Sequence, residues 1–523
     1  MRPLVLLVAT GALLTSALST VGFGVEQRPA VSRPNVVVIM ADDLGYGDLS
    51  CYGAKSIETP HIDSLAHSGI RFTSGYCSAS TCTPTRYSLL TGTFAFRQKG
   101  TGVAPPDSPA LVQPGALTLP SIFQKGGYKT AVIGKWHLGL GPNAGAEPGP
   151  QWNGEINPSP NHIGFDHSFI LPTTNDRVPQ VYVRNSHVVN LDPKDPLWIG
   201  SKKPSEDHPT GVTHRSTLRM DWSHGHNQTI HNGIGRIGFY TGGIRARFRD
   251  EDLADAWAKE NQEWIASVGE QPFFLFFASH DIHVPRMVHE RFQGKSGLGP
   301  RGDAILELDW NVGQLLSTLE KLDKRDNTIV IFCSDNGPVL DDGYKDDAIE
   351  KLGDHKPAGP FLGGKYNVCE GGTRTPFLVS WPSQVPKRVV SDALVTTTDF
   401  AASFAAMLDI PLPNDACLDS QNVLDALLGK EGAKGRDWVL QQDNGSSGNF
   451  GLRSGKWKLM RHASGKATNV HLRLVPSNMK RLQLFDLESD PGESKDLSEQ
   501  HPDRTQQLDQ KLTEIIQAGR SRL

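Results

Sequence analysis

The chain has 523 residues, 37% hydrophobic and 21% charged, with a formal net charge of −4. That composition belongs to a globular protein with room for a large core and a second, smaller domain, and it excludes wholesale disorder. The slightly acidic balance excludes a general basic surface for nucleic acid.

Arg2 is followed by an apolar, small-residue run over 4–18 with Ala17-Leu18-Ser19 behind it. This reads as a secretory signal over residues 1–25, too short to be a bilayer span. It implies export to a periplasm, the exterior or a lysosome-like lumen, with no membrane span after cleavage.

Short apolar and β-branched runs then read as buried strands: 35–40 (NVVVIM), 130–133 (TAVI), 273–278 (FFLFFA), 328–333 (TIVIFC) and 377–381 (FLVSW). Between them, Ile62, Leu65, Ala66 and Ile70 recur at helical spacing, and 304–322 is amphipathic. Residues 194–249 are rich in Gly, His, Arg and Pro and have little periodicity. They read either as long loops over a site mouth or as a solvated insertion. Beyond residue 430 come short strands at 438–441, 450–452, 457–461 and 482–487, then a helix at 504–516.

This order predicts an α/β fold with a mostly parallel sheet flanked by helices, plus a small C-terminal antiparallel sheet with a helix. The expected division is a main domain over 34–430 and a subdomain over 431–523.

Four strands are followed directly by polar residues: Asp42-Asp43, Gly134-Lys135-Trp136-His137, Ser279-His280-Asp281-Ile282-His283 and Ser334-Asp335-Asn336-Gly337. In open α/β sheets ligands bind beyond the carboxyl ends of the strands, so these sets are expected to converge. Asp42, Asp43, Asp335 and Asn336 offer oxygen ligands without Cys or His, a set suited to Ca²⁺ or Mg²⁺ rather than zinc. The six cysteines include no C-x-x-C pair, which argues against a zinc ribbon or a thioredoxin-like redox site. Asn227-Gln228-Thr229 and Asn444-Gly445-Ser446 fit the glycosylation acceptor pattern.

Residues 82–92 (CTPTRYSLLTG) predict a helix, with Pro84 near its first turn and Gly92 at its end. Arg86 lies four residues after Cys82, on the same face. A nucleophile at a helix N-terminus beside a guanidinium suits an anion.

The stretch resembles the signature of the type I, formylglycine-dependent sulfatases, of the arylsulfatase and N-acetylgalactosamine-sulfatase kind. Further motifs follow in that family's order. They are G-K-W-H-L-G at Lys135 and His137, H-x-P at His283, Lys365 five residues before Glu370-Gly371-Gly372, R-x-P at Arg374, and L-F-D-L…D-P-G-E from Leu484. Thr85 stands where the family usually has Ser or Ala.

The resemblance implies an alkaline-phosphatase-like fold and hydrolysis of sulfate monoesters. It implies oxidation of Cys82 to formylglycine by a formylglycine-generating enzyme. A divalent cation, commonly Ca²⁺, is implied at Asp42, Asp43, Asp335 and Asn336, with residue 82 completing its shell. By resemblance, Arg86, Lys135 and Lys365 hold sulfate, His137 serves the aldehyde hydrate, and His283 or Lys365 protonates the leaving alcohol. His280 competes with His283, and Thr174 stands for a sulfate-contacting hydroxyl. The implied substrate is a sulfated glycan or aryl sulfate. Two alternatives remain: a phosphonate or phosphodiester hydrolase of the same superfamily, and a non-catalytic glycan-binding homologue.

Overall fold

The computed structural model describes residues 1, 3, 33–145, 148–444, 448–463 and 480–522. The signal segment at 1–25 lies almost wholly outside them, as does part of the acceptor triplet at 444–446.

Among the described residues the main sheet has ten strands. In chain order they are β1 (Asn35–Ala41), β2 (Ile70–Phe72), β3 (Lys129–Lys135), β4 (His167–Leu171), β5 (Val183–Arg184), β6 (His187–Val188), β7 (Phe273–Ala278), β8 (Thr328–Ser334), β9 (Leu378–Ser380) and β10 (Val389–Ser391). The spatial order is β10-β2-β9-β8-β1-β7-β3-β4-β5-β6. Its centre, β8-β1-β7-β3-β4, is parallel throughout, and antiparallel strands join on either side.

The apolar runs form strands because both faces of the sheet are covered. Val36, Val38 and Met40 of β1 face one core with Leu89, Leu90 and Phe123. Those residues come from helices α2 (Cys82–Thr91) and α3 (Leu119–Lys125). Val37, Ile39 and Ala41 face the other core with Ile62, Leu65, Trp257, Leu308 and Leu315. These come from α1 (Pro60–His67), α4 (Leu253–Ser267) and α5 (Gly299–Lys321). Each large apolar side chain buried this way contributes about 1.5–3 kcal/mol.

The helical spacing through Ile70 does not hold. The helix stops at His67, and Ile70 opens β2 in the opposite core. The chain passes so close to β9 that a Cβ at Gly69 would lie 2.1 Å from the Val379 carbonyl oxygen, and that crossing ends the helix.

Four antiparallel strands, β11 (Trp438–Gln442), β12 (Phe450–Ser454), β13 (Trp457–Arg461) and β14 (Leu482–Asp486), form the C-terminal sheet. One face packs Leu440, Leu452, Leu459 and Leu484 on Leu508 and Leu512 of the terminal helix Pro502–Gln517. The other face packs Met460 and Phe485 on Val368 and Cys369. Pro34–Leu523 forms one compact unit. The segment 194–249 carries two short strand pairs, and its Arg236 forms a buried ion pair with Asp250 at 2.7 Å. Among the described residues no helix is long and apolar enough to cross a membrane, and the six cysteines are free thiols.

Candidate active site

Parallel pairing decides how the strand ends meet. Ala41 of β1 is in register with Ser334 of β8, so Asp42-Asp43 and Asp335-Asn336 emerge side by side. The Asp43 amide donates to Asp335 Oδ1 at 3.3 Å, and Asn336 Nδ2 donates to Asp43 Oδ1 at 2.8 Å. Asp43 adopts φ 60°, a left-handed turn that brings both carboxylates to the strand end.

Each of these three buried carboxylates has its own cation. Lys135 pairs with Asp42. Arg86 grips Asp335 Oδ2 with Nε at 3.0 Å and Nη2 at 2.8 Å. Lys365 lies 2.9 Å from the Asp43 carboxylate and 2.7 Å from Asp342.

Two oxygens stay unspent. Asp42 Oδ1 and Asn336 Oδ1 are buried without a hydrogen-bond partner. Leaving a buried acceptor unsatisfied costs about 1–3 kcal/mol. Burial, with the charges of Asp335 and Asp43, pushes the Asp42 carboxyl well above the usual carboxylate range. Burial pushes Asp43 up too, but Lys365 and Lys135 outweigh it and hold it low. Clustered carboxylates with orphaned oxygens fit a hard divalent cation.

Cys82 is the first residue of α2, with Thr81 as N-cap and Gly92 closing the far end at φ 62°. Its Sγ lies 3.2 Å from His137 Nδ1. His137 Nε2 lies 3.0 Å from the Ala104 carbonyl oxygen, which can only accept, so the ring proton sits on Nε2. Burial, then the charges of Lys135 and Arg177, hold the imidazole neutral. A bare Nδ1 lone pair therefore faces residue 82.

His283 has the opposite tautomer. Its Nδ1 donates to the Val284 carbonyl at 2.6 Å, leaving Nε2 on the Asp43 side at 3.9 Å.

Three of the expected site residues are engaged by other groups of the protein. The Arg86 guanidinium spends its nitrogens within the protein. Nε and Nη2 are on Asp335, and Nη1 donates to the Lys135 carbonyl at 3.0 Å. His280 is separate from the His283 cluster. Its Nδ1 accepts from Nε1 of Trp257 on α4 at 3.1 Å, and its Nε2 lies 3.5 Å from Asp281. The Thr174 hydroxyl is spoken for: it donates to Asp176 and accepts from Arg177 Nη1 at 3.1 Å.

The structure adds residues that the sequence did not single out. Asp342 holds Lys365 and accepts from the Tyr366 hydroxyl at 3.1 Å. The charge of Arg177 bears on His137. His226 Nε2 lies 2.8 Å from Asp176, so the 194–249 segment reaches the site. Asp176 and Arg177 follow β4, and the polar run after that strand was a usable signal. Asp342 follows no strand and had none.

The loop bearing Lys365 is tied to the C-terminal sheet. Glu370 accepts from Lys458 at 3.0 Å and Gln441 at 3.1 Å, both on that sheet, and from Tyr76 at 2.5 Å.

Comparisons with known proteins identify the family. A model of the sulfatase family matches residues 34–410, and one for the C-terminal part of N-sulphoglucosamine sulphohydrolase matches 364–521. An N-acetylgalactosamine-6-O-sulfatase of Bacteroides thetaiotaomicron is 46% identical over 92% of this chain and 93% of its own length. Human arylsulfatase A is 31% identical over 90% of this chain and 84% of its own. A structure solved in work on glycosaminoglycan metabolism by Bacteroides thetaiotaomicron superposes with a TM-score of 0.89 at 46% identity. It covers 92% of this chain and 99% of that one.

The chain belongs to the sulfatase family. It is a sulfuric ester hydrolase with the alkaline-phosphatase-like fold of that family.

Proposed function

We propose that this enzyme is an exported carbohydrate sulfatase that removes a 6-O-sulfate from N-acetylgalactosamine-type units. The 46% identity along 92% of the chain to a relative of that name supports the substrate. The observation that carries the chemistry is the set of three buried carboxylates, each with its own cation, with orphaned oxygens on Asp42 and Asn336, beside Cys82 at a helix N-terminus.

Asp42, Asp43, Asp335 and Asn336, with residue 82, would hold Ca²⁺, or Mg²⁺ in its place. The cation would supply positive charge for the sulfate oxygens. A formylglycine made from Cys82 by a formylglycine-generating enzyme would supply a hydrate hydroxyl as nucleophile.

The remaining roles belong to side chains of this chain. His137 takes a proton from residue 82 through Nδ1. Lys135 and Lys365 attract the sulfate oxygens. Burial opposes the Lys365 charge, but Asp342 and Asp43 outweigh it, so the ammonium stays charged throughout. His283 exchanges a proton with the leaving oxygen through Nε2, the ring nitrogen not engaged by the backbone. Arg86 positions Asp335 rather than binding substrate. Asp176, Arg177 and His226 form the polar wall toward the sugar.

We assign 34–430 as the catalytic domain. We assign 431–523 as the subdomain that braces the Lys365 loop through Glu370.

The test is sulfate release from 6-O-sulfated N-acetylgalactosamine, compared with its 4-O-sulfated isomer and an aryl phosphodiester. The 6-O-sulfated sugar is the expected best substrate. Faster phosphodiester hydrolysis would instead establish the phosphonate and phosphodiester hydrolase reading.

A further inference from the structure

His137 is held in a conformation that needs support. Its φ is 54°, a left-handed value that a residue with a side chain adopts at a cost. Its amide donates to the Pro172 carbonyl at 3.2 Å, which fixes one side of the residue.

The other side is fixed by Thr83, the residue directly after Cys82. Thr83 Oγ1 donates to the His137 carbonyl at 3.1 Å. The same oxygen accepts from the Ala104 amide at 3.2 Å. The Ala104 carbonyl, in turn, accepts from His137 Nε2 at 3.0 Å. These three bonds link the Thr83 hydroxyl, the Ala104 residue and His137 in one closed circuit. Thr83 and Ala104 are wholly or almost wholly buried, and His137 is 1% exposed, so water does not substitute for a missing member.

We propose that Thr83 is a positioning residue that locks His137 in the Nε2–H tautomer and aims its Nδ1 lone pair at residue 82. One hydroxyl holds both peptide groups that set the ring: the carbonyl of His137 itself and the residue whose carbonyl takes the ring proton. The hydrogen bond made by one imidazole nitrogen decides what the other can do. Without the Thr83 hydroxyl, the Ala104 amide is left buried and unpaired, the carbonyl beside it is free to turn, and the ring can exchange its proton between nitrogens. Because Thr83 adjoins Cys82 on α2, the helix N-terminus and the imidazole are set against each other by a single side chain.

The tautomer is read from geometry. Only its consequence for turnover rests on the sulfatase reading.

The test compares the wild type with T83V, which keeps the shape and removes the hydroxyl, and T83S, which restores it. Nitrogen-15 histidine NMR of the unmodified thiol protein, with the His137 signal assigned by its loss in H137Q, reports which ring nitrogen carries the proton. Steady-state kinetics are normalised to the fraction of residue 82 converted, measured by peptide mass.

The expected wild-type signal is a protonated Nε2 and a bare Nδ1. T83V should show a mixture and lose kcat about tenfold or more with KM within about twofold, a partial loss of the general-base contribution. T83S should return both readouts to wild type. A wild-type proton on Nδ1 overturns the proposal, and this needs no variant to fold. A T83V enzyme that loses kcat with its tautomer unchanged also overturns it, as does T83S behaving like T83V. A wild-type enzyme that releases no sulfate would refute the sulfatase reading and leave the tautomer measurement to decide this one.

Discussion

Arg86 and Asp335 meet through two guanidinium nitrogens on one carboxylate oxygen, Nε at 3.0 Å and Nη2 at 2.8 Å, with both side chains sealed from solvent. The pair joins α2 to the end of β8, so the helix that carries Cys82 is bolted to the residues that would hold the cation. Lysine has no planar fork and cannot reproduce this grip. R86K keeps the charge but loses the two-pronged grip, so it should lower stability by about 1–3 kcal/mol, the cost of a buried polar group left unpaired, and lower retained calcium as well. Denaturant midpoints and metal content after dialysis check both. A stable R86K protein with full calcium would return Arg86 to the sulfate-binding role.

The orphaned oxygens of Asp42 and Asn336 predict strong stabilisation by a divalent cation. Chelation should lower Tm, and calcium at about 100 times its Kd should restore about 2.7 kcal/mol. Thermal unfolding across a calcium and a magnesium titration measures it and ranks the two ions. A Tm indifferent to both would remove the metal from the proposal.

The two histidines after β7 should separate cleanly. H283N removes the ring nitrogen assigned to the leaving oxygen and should cost about 10²–10⁴ in kcat. H280A leaves the buried Trp257 N–H without its acceptor and should cost about 1–3 kcal/mol of stability with kcat near wild type. Paired kinetic and unfolding measurements distinguish them, and reversed phenotypes would restore His280 to the site.

Glu493, at the joint between the C-terminal sheet and the catalytic body, predicts a pH dependence. Its carboxylate accepts from the Glu370 amide and pairs with Lys458 at 2.8 Å. Burial, with the charge of Glu370 and against that of Lys458, pushes it up to about 7 from 4.5. A folded-state value above the unfolded one means the contribution is fully present below about pH 4.5 and is lost as pH rises through 7. The wild type should therefore lose stability between pH 5 and 8 relative to E493Q, as urea midpoints at the two pH values would show. Parallel profiles for the two proteins would refute the assignment.

Thr85 keeps the hydroxyl that serine, one of the two residues usual in the family here, would provide. Its hydroxyl donates to the Ala79 carbonyl at 2.9 Å and accepts from the Ala79 amide at 3.2 Å, contacts that need a hydroxyl and not a methyl. Formylglycine conversion, read as the mass of the tryptic peptide 72–86, should match between wild type and T85S. Cys77 in the same peptide serves as the unmodified control. A large gain in T85S would show that the threonine methyl hinders maturation.

The sequence by itself determined the α/β class and the strands that carry the site, because runs such as Val36–Val37–Val38–Ile39 must bury both faces and leave only their ends for polar groups. It also determined Cys82, Lys135, His137, His283, Asp335 and Lys365 as candidates, since each lies in a local motif or at a strand end. Tertiary structure alone decided which partners those side chains meet. Nothing local shows that Asp335, 249 residues away, occupies the fork of Arg86. Likewise His280 and His283 are alike until Trp257 takes one and the Asp43 cluster the other. Asp342, His226 and Ala104 are legible only in space. They sit in segments without periodicity, and their roles arise from contacts with residues brought near by the crossing of strands and loops rather than by sequence neighbours.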